Sequence, residues 1–260
     1  MKLLLCCLLV LNTLLVACQN DTPTSTAVIP TPDSMPVADT LMADHHEENP
    51  TADMKAVPTN SGTPSPTKPM PGIKPGLLAQ HGFTEVITLD PSIRLDIRYA
   101  TTDNFTKAKI YDCPRCLLRP AAAAAIVKAH KMLQKKGLGL KMFDCYRPRP
   151  YQQRLWDKVP NADYVTPPAK GSMHSRGAAV DLTIVDASGK ELDMGTPYDF
   201  FGVAAHTDHT NLPAKVLANR RLLRKTLEAV GFRGIRTEWW HFSFQGKNYP
   251  FSDYVWPCDK

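Results

Sequence analysis

Residues 172–182 have the sequence SMHSRGAAVDL, and residues 238–242 have the sequence EWWHF. In the first stretch, His174 and Asp181 are an odd number of positions apart. On one continuous strand, side chains at an odd spacing face opposite sides of the sheet. We therefore expect a turn or bulge at Gly177 that brings the histidine and the aspartate to one point.

The same stretches contain a candidate metal site. His174, Asp181 and His241 supply two neutral imidazoles and a carboxylate, a set of zinc ligands that leaves a fourth position for water. Asp181 has apolar neighbours on both sides, and a charged group there is unfavourable unless it is paired or bound to metal. Glu238 and His241 are also an odd number of positions apart, so we expect a bend between them too.

The remaining sequence predicts an α+β fold. Helix start and stop signals and apolar periodicity give the predicted helices Pro120–Lys136, Pro150–Val159 and Pro213–Val230. Short runs of strand-forming residues give the predicted strands Val86–Leu89, Arg94–Tyr99, Leu140–Tyr146, Ala178–Val185 and Glu238–Phe244. Because strands and helices do not alternate regularly, we expect a single domain with a central, antiparallel-rich sheet flanked by helices.

Composition divides the chain into two parts. All 21 aromatic residues lie at or after Phe83, and 11 of the 23 prolines lie between Gln19 and Gln80. A proline-rich segment without aromatic side chains cannot form a packed core. We therefore expect residues 18–80 to be a disordered, flexible tether and residues 81–260 to be one folded domain. The composition also excludes collagen, coiled-coil and multi-span membrane proteins.

Charge divides the chain at a similar place. Residues 1–75 carry a net charge of −3, and residues 76–260 carry a net charge of +9. A basic domain suits nucleic acid, an anionic membrane or an anionic wall polymer. The sequence contains neither a recognition helix nor an RNA-binding aromatic pair, so we expect no nucleic-acid partner.

The N-terminus has the features of an export signal. A lysine precedes an apolar run that ends at Ala17, which suits a signal peptide better than a spanning helix. Residues 15–18, LVAC, resemble the bacterial lipobox; the alternative is an ordinary signal peptide followed by a chance cysteine. We expect residues 1–17 to be removed and lipid on Cys18 to anchor an exported protein to a membrane. Gln19 favours the periplasmic face of the outer membrane where the source has two membranes, and the cell surface otherwise.

Export places four further cysteines in an oxidising compartment, namely Cys113, Cys116, Cys145 and Cys258. An even number predicts up to two disulfides, with three possible pairings. Cys113 and Cys116 have the spacing of a redox motif or of half a zinc knuckle. Neither a thioredoxin-like context nor a second half of the knuckle accompanies them, so we expect structural disulfides or buried thiols.

The stretches at residues 172–182 and 238–242 together resemble the signature of a group of zinc peptidases. This group contains D-alanyl-D-alanine carboxypeptidases, peptidoglycan endopeptidases and hedgehog-like domains. Residues 143–148, FDCYRP, resemble an element of the D-alanyl-D-alanine dipeptidases known from vancomycin resistance. Residues 192–201, LDMGTPYDFF, and the segments 104–106 and 116–119 resemble the same family. The resemblance covers about residues 85–256. The lipid signal, the tether and the additional cysteines depart from the family and affect the physiological role more than the chemistry.

The resemblance implies roles for the motif residues. His174, Asp181 and His241 would be the ligands of one Zn²⁺ per chain, and Glu238 would be the general base. Arg147 resembles the residue that stabilises the carbonyl oxygen as negative charge develops on it.

The resemblance also implies the substrate. Ser172 and Asp199 resemble contacts to the substrate ends, with structural capping as the alternative role. The implied activity is hydrolysis of D-Ala-D-Ala to free D-alanine in cell-wall metabolism, and Tyr146 and Trp240 are expected to be packing residues.

Two alternatives stay open. A D,D-carboxypeptidase or endopeptidase acting on peptidoglycan peptides would use the same chemistry, and it suits an exported enzyme that meets wall peptides. A hedgehog-like domain that keeps the metal and acts by binding, without catalysis, belongs to another class. The presence of both Glu238 and Arg147 argues against the binding domain, because binding alone requires neither. The sequence does not indicate an oligomeric state.

Overall fold

The computed structural model describes residues 75–258, which form a mixed α+β domain as predicted. The strands are β1 (Thr84–Glu85), β2 (Arg94–Leu95), β3 (Leu117–Leu118), β4 (Leu138–Asp144), β5 (Ala179–Asp186), β6 (Phe232–Gly234) and β7 (His241–Phe244). The α-helices are α1 (Pro75–Gln80), α2 (Val86–Leu89), α3 (Pro120–Gln134), α4 (Arg149–Lys158) and α5 (Ala214–Glu228). Three single turns of 3₁₀ helix cover Arg98–Ala100, His174–Arg176 and Val203–Ala205.

The central sheet has five strands in the order β2-β4-β5-β7-β6. Only β2 and β4 are parallel, and the other three pairs are antiparallel, which confirms the predicted antiparallel-rich sheet. The β4–β5 pairing runs from Leu138 opposite Asp186 to Asp144 opposite Asp181, with an irregularity just before Asp144. A second, two-stranded sheet pairs β1 with β3.

The long helices form where the sequence places their signals. Pro120 occupies the first turn of α3, where a backbone N–H has no helical partner to lose. Gly137, just after this helix, has φ +69°, the left-handed conformation that commonly ends helices. The alanine-rich α3 buries a face of small and aliphatic side chains, including Ile126 and Leu133, and packs against β4. Helix α5 packs against β6 and α3.

The two strands predicted nearest the start of the domain are wrong, one wholly and one in part. Val86–Leu89 is one short helix, α2. Its first backbone N–H donates to the Cys116 carbonyl, and the Thr88 hydroxyl donates to the Glu85 carbonyl, so local bonds turn the chain there. In the predicted strand Arg94–Tyr99, only the first two residues pair in the sheet, because a 3₁₀ turn begins at Arg98.

The folded part begins before the predicted boundary at residue 81. Helix α1 lies in the stretch assigned to the tether, and its Leu78 side chain is buried in the hydrophobic core. The predicted signal peptide, Cys18 and most of the predicted tether lie outside the described residues. Within residues 75–258, no helix combines the length and the apolar character needed to cross a bilayer.

Both disulfides form, with one of the three possible pairings. Cys113 bonds to Cys258, and Cys116 bonds to Cys145. The first disulfide joins the C-terminal segment to the domain. There the Trp256 indole N–H also donates to the Cys113 carbonyl, and the ring packs among core aromatic side chains.

Candidate active site

The three predicted metal ligands meet beside the β5–β7 pair. Asp181 on β5 and His241 on β7 are cross-strand partners, so backbone pairing places their side chains together. His174 lies in the 3₁₀ turn just before β5. Its Nε2 atom is 3.2 Å from His241 Nδ1 and 3.4 Å from Asp181 Oδ1, and His241 Nδ1 is 3.0 Å from the same Asp181 oxygen.

This triangle of donor atoms suits a zinc ion. In a tetrahedral site with bonds of about 2.0–2.1 Å, donor atoms are roughly 3.3–3.4 Å apart. The His174 Nδ1–H donates to the Cys145 carbonyl at 2.7 Å, which leaves Nε2 as the unprotonated nitrogen facing the site. His241 Nε2 is similarly held by the Ser243 hydroxyl at 3.1 Å. Because each donor atom is oriented by its surroundings, the set could hold zinc.

Gly177 makes the turn that the odd spacing of His174 and Asp181 requires. Its φ is +69°, in the left-handed region that favours glycine. A Cβ atom at this position would lie 2.5 Å from a ring carbon of Phe83, so a side chain has no room. The chain leaves the His174 turn at this glycine and enters β5.

Glu238 precedes β7, so the strand predicted for Glu238–Phe244 begins three residues late, at His241. The backbone bends at Trp239 and Trp240, directly before β7 begins, and both side chains are buried. This is the bend that the spacing of Glu238 and His241 predicts.

Charge compensation within the ligand set is strong. Burial raises the pKa of the Asp181 carboxyl, but His174 and His241 lower it further than burial raises it, so the group is anionic at neutral pH. The Tyr198 hydroxyl donates to its second oxygen at 2.9 Å. Burial lowers the pKa of His174, but the carboxylates of Asp181 and Asp144 outweigh it and raise the pKa overall.

Arg147 is buried and rigidly held. Its Nε and Nη2 atoms donate to Asp144 at 3.1 and 2.8 Å, and its Nη1 donates to Gln152 at 2.9 Å. Burial lowers the pKa of the guanidinium, but Asp144 together with the neighbouring Tyr111, Tyr99 and Tyr198 more than offsets this, and the pKa lies well above its ordinary value. Asp144 also accepts from the Tyr111 hydroxyl at 2.7 Å, so the cation is fixed from several directions.

All seven predicted domain-site residues line one cavity of about 290 Å³. They are His174, Asp181, His241, Glu238, Arg147, Ser172 and Asp199. The roles assigned to them stay predictions. The structure does show a capping contact for Ser172, because its hydroxyl accepts the His174 backbone N–H at 3.2 Å.

Two further carboxyls face this cavity in different settings. Burial raises the pKa of Glu238, with Asp181 adding to the rise and His241 opposing it, and a raised carboxyl pKa suits a general base. Burial, Asp181 and Glu238 raise the pKa of Asp199 well above its ordinary value, against a hydrogen bond of 2.9 Å from the Tyr99 hydroxyl.

The groups that orient the site side chains are not among the residues predicted from the sequence. Asp144 and Tyr198 lie inside the segments 143–148 and 192–201 that resemble the family. The sequence does not indicate that they contact Arg147 and Asp181, respectively. Nothing in the sequence indicates that the Cys145 carbonyl accepts from His174, because the identity of a side chain does not predict the partner of a backbone carbonyl. Tyr146 and Trp240 are fully buried, in agreement with the expected packing role.

A His-Asp-His set that could hold a metal shares a cavity with a separate carboxylate and a fixed arginine, an arrangement that suits a metallopeptidase. The sequence profile described as D-ala-D-ala dipeptidase, Peptidase M15, matches residues 79–255. The chain therefore belongs to the D-Ala-D-Ala dipeptidase family of metallopeptidases.

Individual relatives agree with the family. A D-alanyl-D-alanine dipeptidase of Escherichia coli K12 is 39% identical over 65% of this chain and 88% of its own length. One of Enterococcus faecium is 31% identical over 68% of this chain and 98% of its own length. Among solved structures, the vancomycin resistance D,D-pentapeptidase VanY in complex with Zn(II) is 15% identical. The match covers 50% of this chain and 73% of the VanY chain, with a TM-score of 0.35.

We predict that His174→Ala and His241→Ala each lose zinc, because each removes one of three protein ligands. Elemental analysis of the purified variants measures the metal. Glu238→Ala and His130→Ala are the controls and should retain zinc, since the first lines the cavity outside the ligand set and the second is a buried histidine elsewhere. Full zinc content in both ligand variants would refute the assignment.

Proposed function

We propose that the chain uses one zinc ion to hydrolyse D-Ala-D-Ala to two molecules of D-alanine in cell-wall metabolism. The observation that carries this is the common cavity. Three donor atoms 3.0–3.4 Å apart share it with Glu238 and with the fixed Arg147. Family membership and the relatives' names support the substrate.

When bound, zinc supplies Lewis acidity and lowers the pKa of a water to about 7. Glu238 then takes a proton from the attacking water and passes it to the leaving amine. Its raised pKa suits the first step, because a carboxylate with a higher pKa is a stronger base for the proton of the water. Its place in the cavity lining but outside the ligand triangle keeps it free for this work.

Arg147 stabilises the substrate carbonyl oxygen as negative charge develops on it. Its bonds to Asp144 and Gln152 hold the guanidinium before the reaction, so little reorganisation accompanies the change of charge. Its high pKa keeps the cation charged throughout.

Asp199 accounts for the free amino end of a dipeptide. A carboxyl withdrawn from water, with Asp181 and Glu238 nearby, favours the arrival of a cation, and the substrate ammonium is one. Ser172 contacts the other end through its hydroxyl in this proposal, while also capping the His174 turn.

The aromatic lining of the cavity favours a short substrate over a peptidoglycan peptide. The rings of Tyr164 and Phe201 pack 4.6 Å apart and both line the cavity, with Phe105 packed edge-on behind Phe201 at 4.8 Å. A peptide extended at its amino end would meet both this aromatic wall and Asp199 without an ammonium partner. This favours the dipeptidase over a D,D-carboxypeptidase or endopeptidase.

We expect Glu238→Gln to keep zinc and lose about 10²–10⁴-fold in kcat on D-Ala-D-Ala, the usual contribution of general acid–base catalysis. Amino acid analysis of released D-alanine measures the rate. Glu191→Gln is the matched control, because this carboxylate pairs with Lys141 and should leave turnover unchanged. Wild-type turnover in a zinc-loaded Glu238→Gln protein would remove the general-base assignment. A wild type that binds zinc but cleaves nothing would support the binding domain.

Substrate length separates the dipeptidase from the carboxypeptidase. We expect the wild type to prefer D-Ala-D-Ala over N-acetyl-D-Ala-D-Ala by roughly 10–100-fold in kcat/KM, because acetylation removes a charge-assisted hydrogen bond worth about 1.5–3 kcal/mol. Phe201→Ala should reduce this ratio of kcat/KM values, because it removes part of the aromatic lining of the cavity. Phe200→Ala, at the neighbouring position, should not. Equal cleavage of a wall pentapeptide by the wild type would favour the carboxypeptidase.

We further propose that the protein is exported and held at a membrane by lipid on Cys18. The apolar leader and the LVAC sequence at residues 15–18 support this. Two disulfides in the domain support export as well, since disulfides persist in oxidising compartments. An enzyme placed there would meet dipeptide released from the wall.

Cys18→Ser should release the protein from membranes or leave it unprocessed, because acyl chains contribute about 0.8 kcal/mol per buried methylene and nothing replaces them. Fractionation of cells followed by immunoblotting measures this. Cys6→Ser, within the predicted leader, is the control and should still partition with membranes. A wild type found in the soluble periplasmic fraction would contradict the lipid anchor.

A further inference from the structure

We propose that the Cys116–Cys145 disulfide is a positioning device for the metal site. It fixes residues 144–147, from which the orienting groups of His174 and Arg147 project. The inference concerns zinc affinity and rests on the proposed function only for its effect on turnover.

Residues 144–147 leave the sheet just where the site needs them. The β4–β5 pairing becomes irregular between Met142 and Asp144, and its last pair is Asp144 with Asp181. Beyond this pair the backbone is held by isolated hydrogen bonds. The Tyr146 N–H donates to the Leu117 carbonyl at 3.0 Å, and the Arg147 N–H donates to the His174 carbonyl at 3.1 Å.

The same segment supplies the hydrogen bonds that orient His174 and Arg147. The Cys145 carbonyl accepts from His174 Nδ1 at 2.7 Å and so sets which nitrogen faces the metal. Asp144 holds Arg147 through two bonds, and one of its oxygens lies 3.5 Å from His174 Nδ1. A shift of this segment would therefore disturb a ligand and the arginine together.

The disulfide joins the segment to the small β1–β3 sheet. Cys116 directly precedes β3, and its carbonyl accepts from the Val86 N–H at 2.9 Å, so its backbone is anchored. Both cysteines are buried. The covalent link is thus the strongest connection between the segment and a fixed part of the domain.

The second disulfide gives a contrasting expectation. Cys113–Cys258 closes a sequence separation of 145 residues, against 29 for Cys116–Cys145. If both acted only by restricting the unfolded chain, loss of the longer link would destabilise the protein more. Positioning predicts the opposite order for zinc affinity, because only Cys145 belongs to the segment that contacts His174.

The test compares C116S/C145S with C113S/C258S in the full chain. Zinc affinity is measured by competition with a chromophoric chelator, and folding by circular dichroism. We expect zinc affinity to fall about 10–100-fold in C116S/C145S, the usual cost of losing an orienting partner of a metal-bound histidine. We expect less than about threefold loss in C113S/C258S, and a lower kcat with little change in KM only in C116S/C145S.

Equal zinc affinities in the two folded variants, or a larger loss in C113S/C258S, would overturn the proposal. A wild type that binds zinc without cleaving D-Ala-D-Ala would instead defeat the proposed function. In that case the comparison of zinc affinities would still decide the positioning role.

A second measurement applies if C116S/C145S does not fold. In a glutathione buffer, two glutathione thiols reduce one protein disulfide, giving glutathione disulfide and two cysteine thiols. Because coupling is reciprocal, zinc should favour the Cys116–Cys145 bond by the same factor by which the bond favours zinc. Alkylation and mass spectrometry of the wild type, with and without zinc, should show this shift at Cys116 and not at Cys113. No shift at Cys116 would refute the proposal.

Discussion

The pairing of Asp181 with His241 across β5 and β7 is the contact on which the site depends. A carboxylate buried in a sheet is strongly unfavourable unless opposite charge and hydrogen bonds compensate it. Here two imidazoles and the Tyr198 hydroxyl do so, and a divalent cation would complete the compensation. The fold therefore stabilises a cluster that is suited to metal and poorly suited to an apolar core.

A second buried pair lies beside the first. Asp144 is the cross-strand partner of Asp181, so two carboxylates sit next to each other where β4 and β5 stop pairing. Arg147 compensates the charge of Asp144, and His174 and His241 compensate that of Asp181. One carboxylate is therefore paired with a fixed cation, and the other is available to the zinc ion of the proposed mechanism.

Much of the site could be predicted because its side chains carry the signal. The odd spacing between His174 and Asp181 required a turn, and Gly177 provides it in a conformation that suits glycine. The strand expected at Val86–Leu89 does not form, because the Val86 N–H and the Thr88 hydroxyl donate to the carbonyls of Cys116 and Glu85 and the chain turns into a helix. Apolar periodicity does not indicate such hydrogen bonds. The orienting role of the Cys145 carbonyl was out of reach for the same reason, since backbone contacts depend on the tertiary fold.

The proposed chemistry requires a single zinc ion bound between His174, Asp181 and His241. X-ray diffraction from zinc-soaked crystals, recorded on both sides of the zinc absorption edge, tests it directly. The predicted result is one anomalous peak per chain, about 2.0–2.2 Å from His174 Nε2, Asp181 Oδ1 and His241 Nδ1. A peak bound by other side chains, or no peak in zinc-saturated crystals, would contradict it.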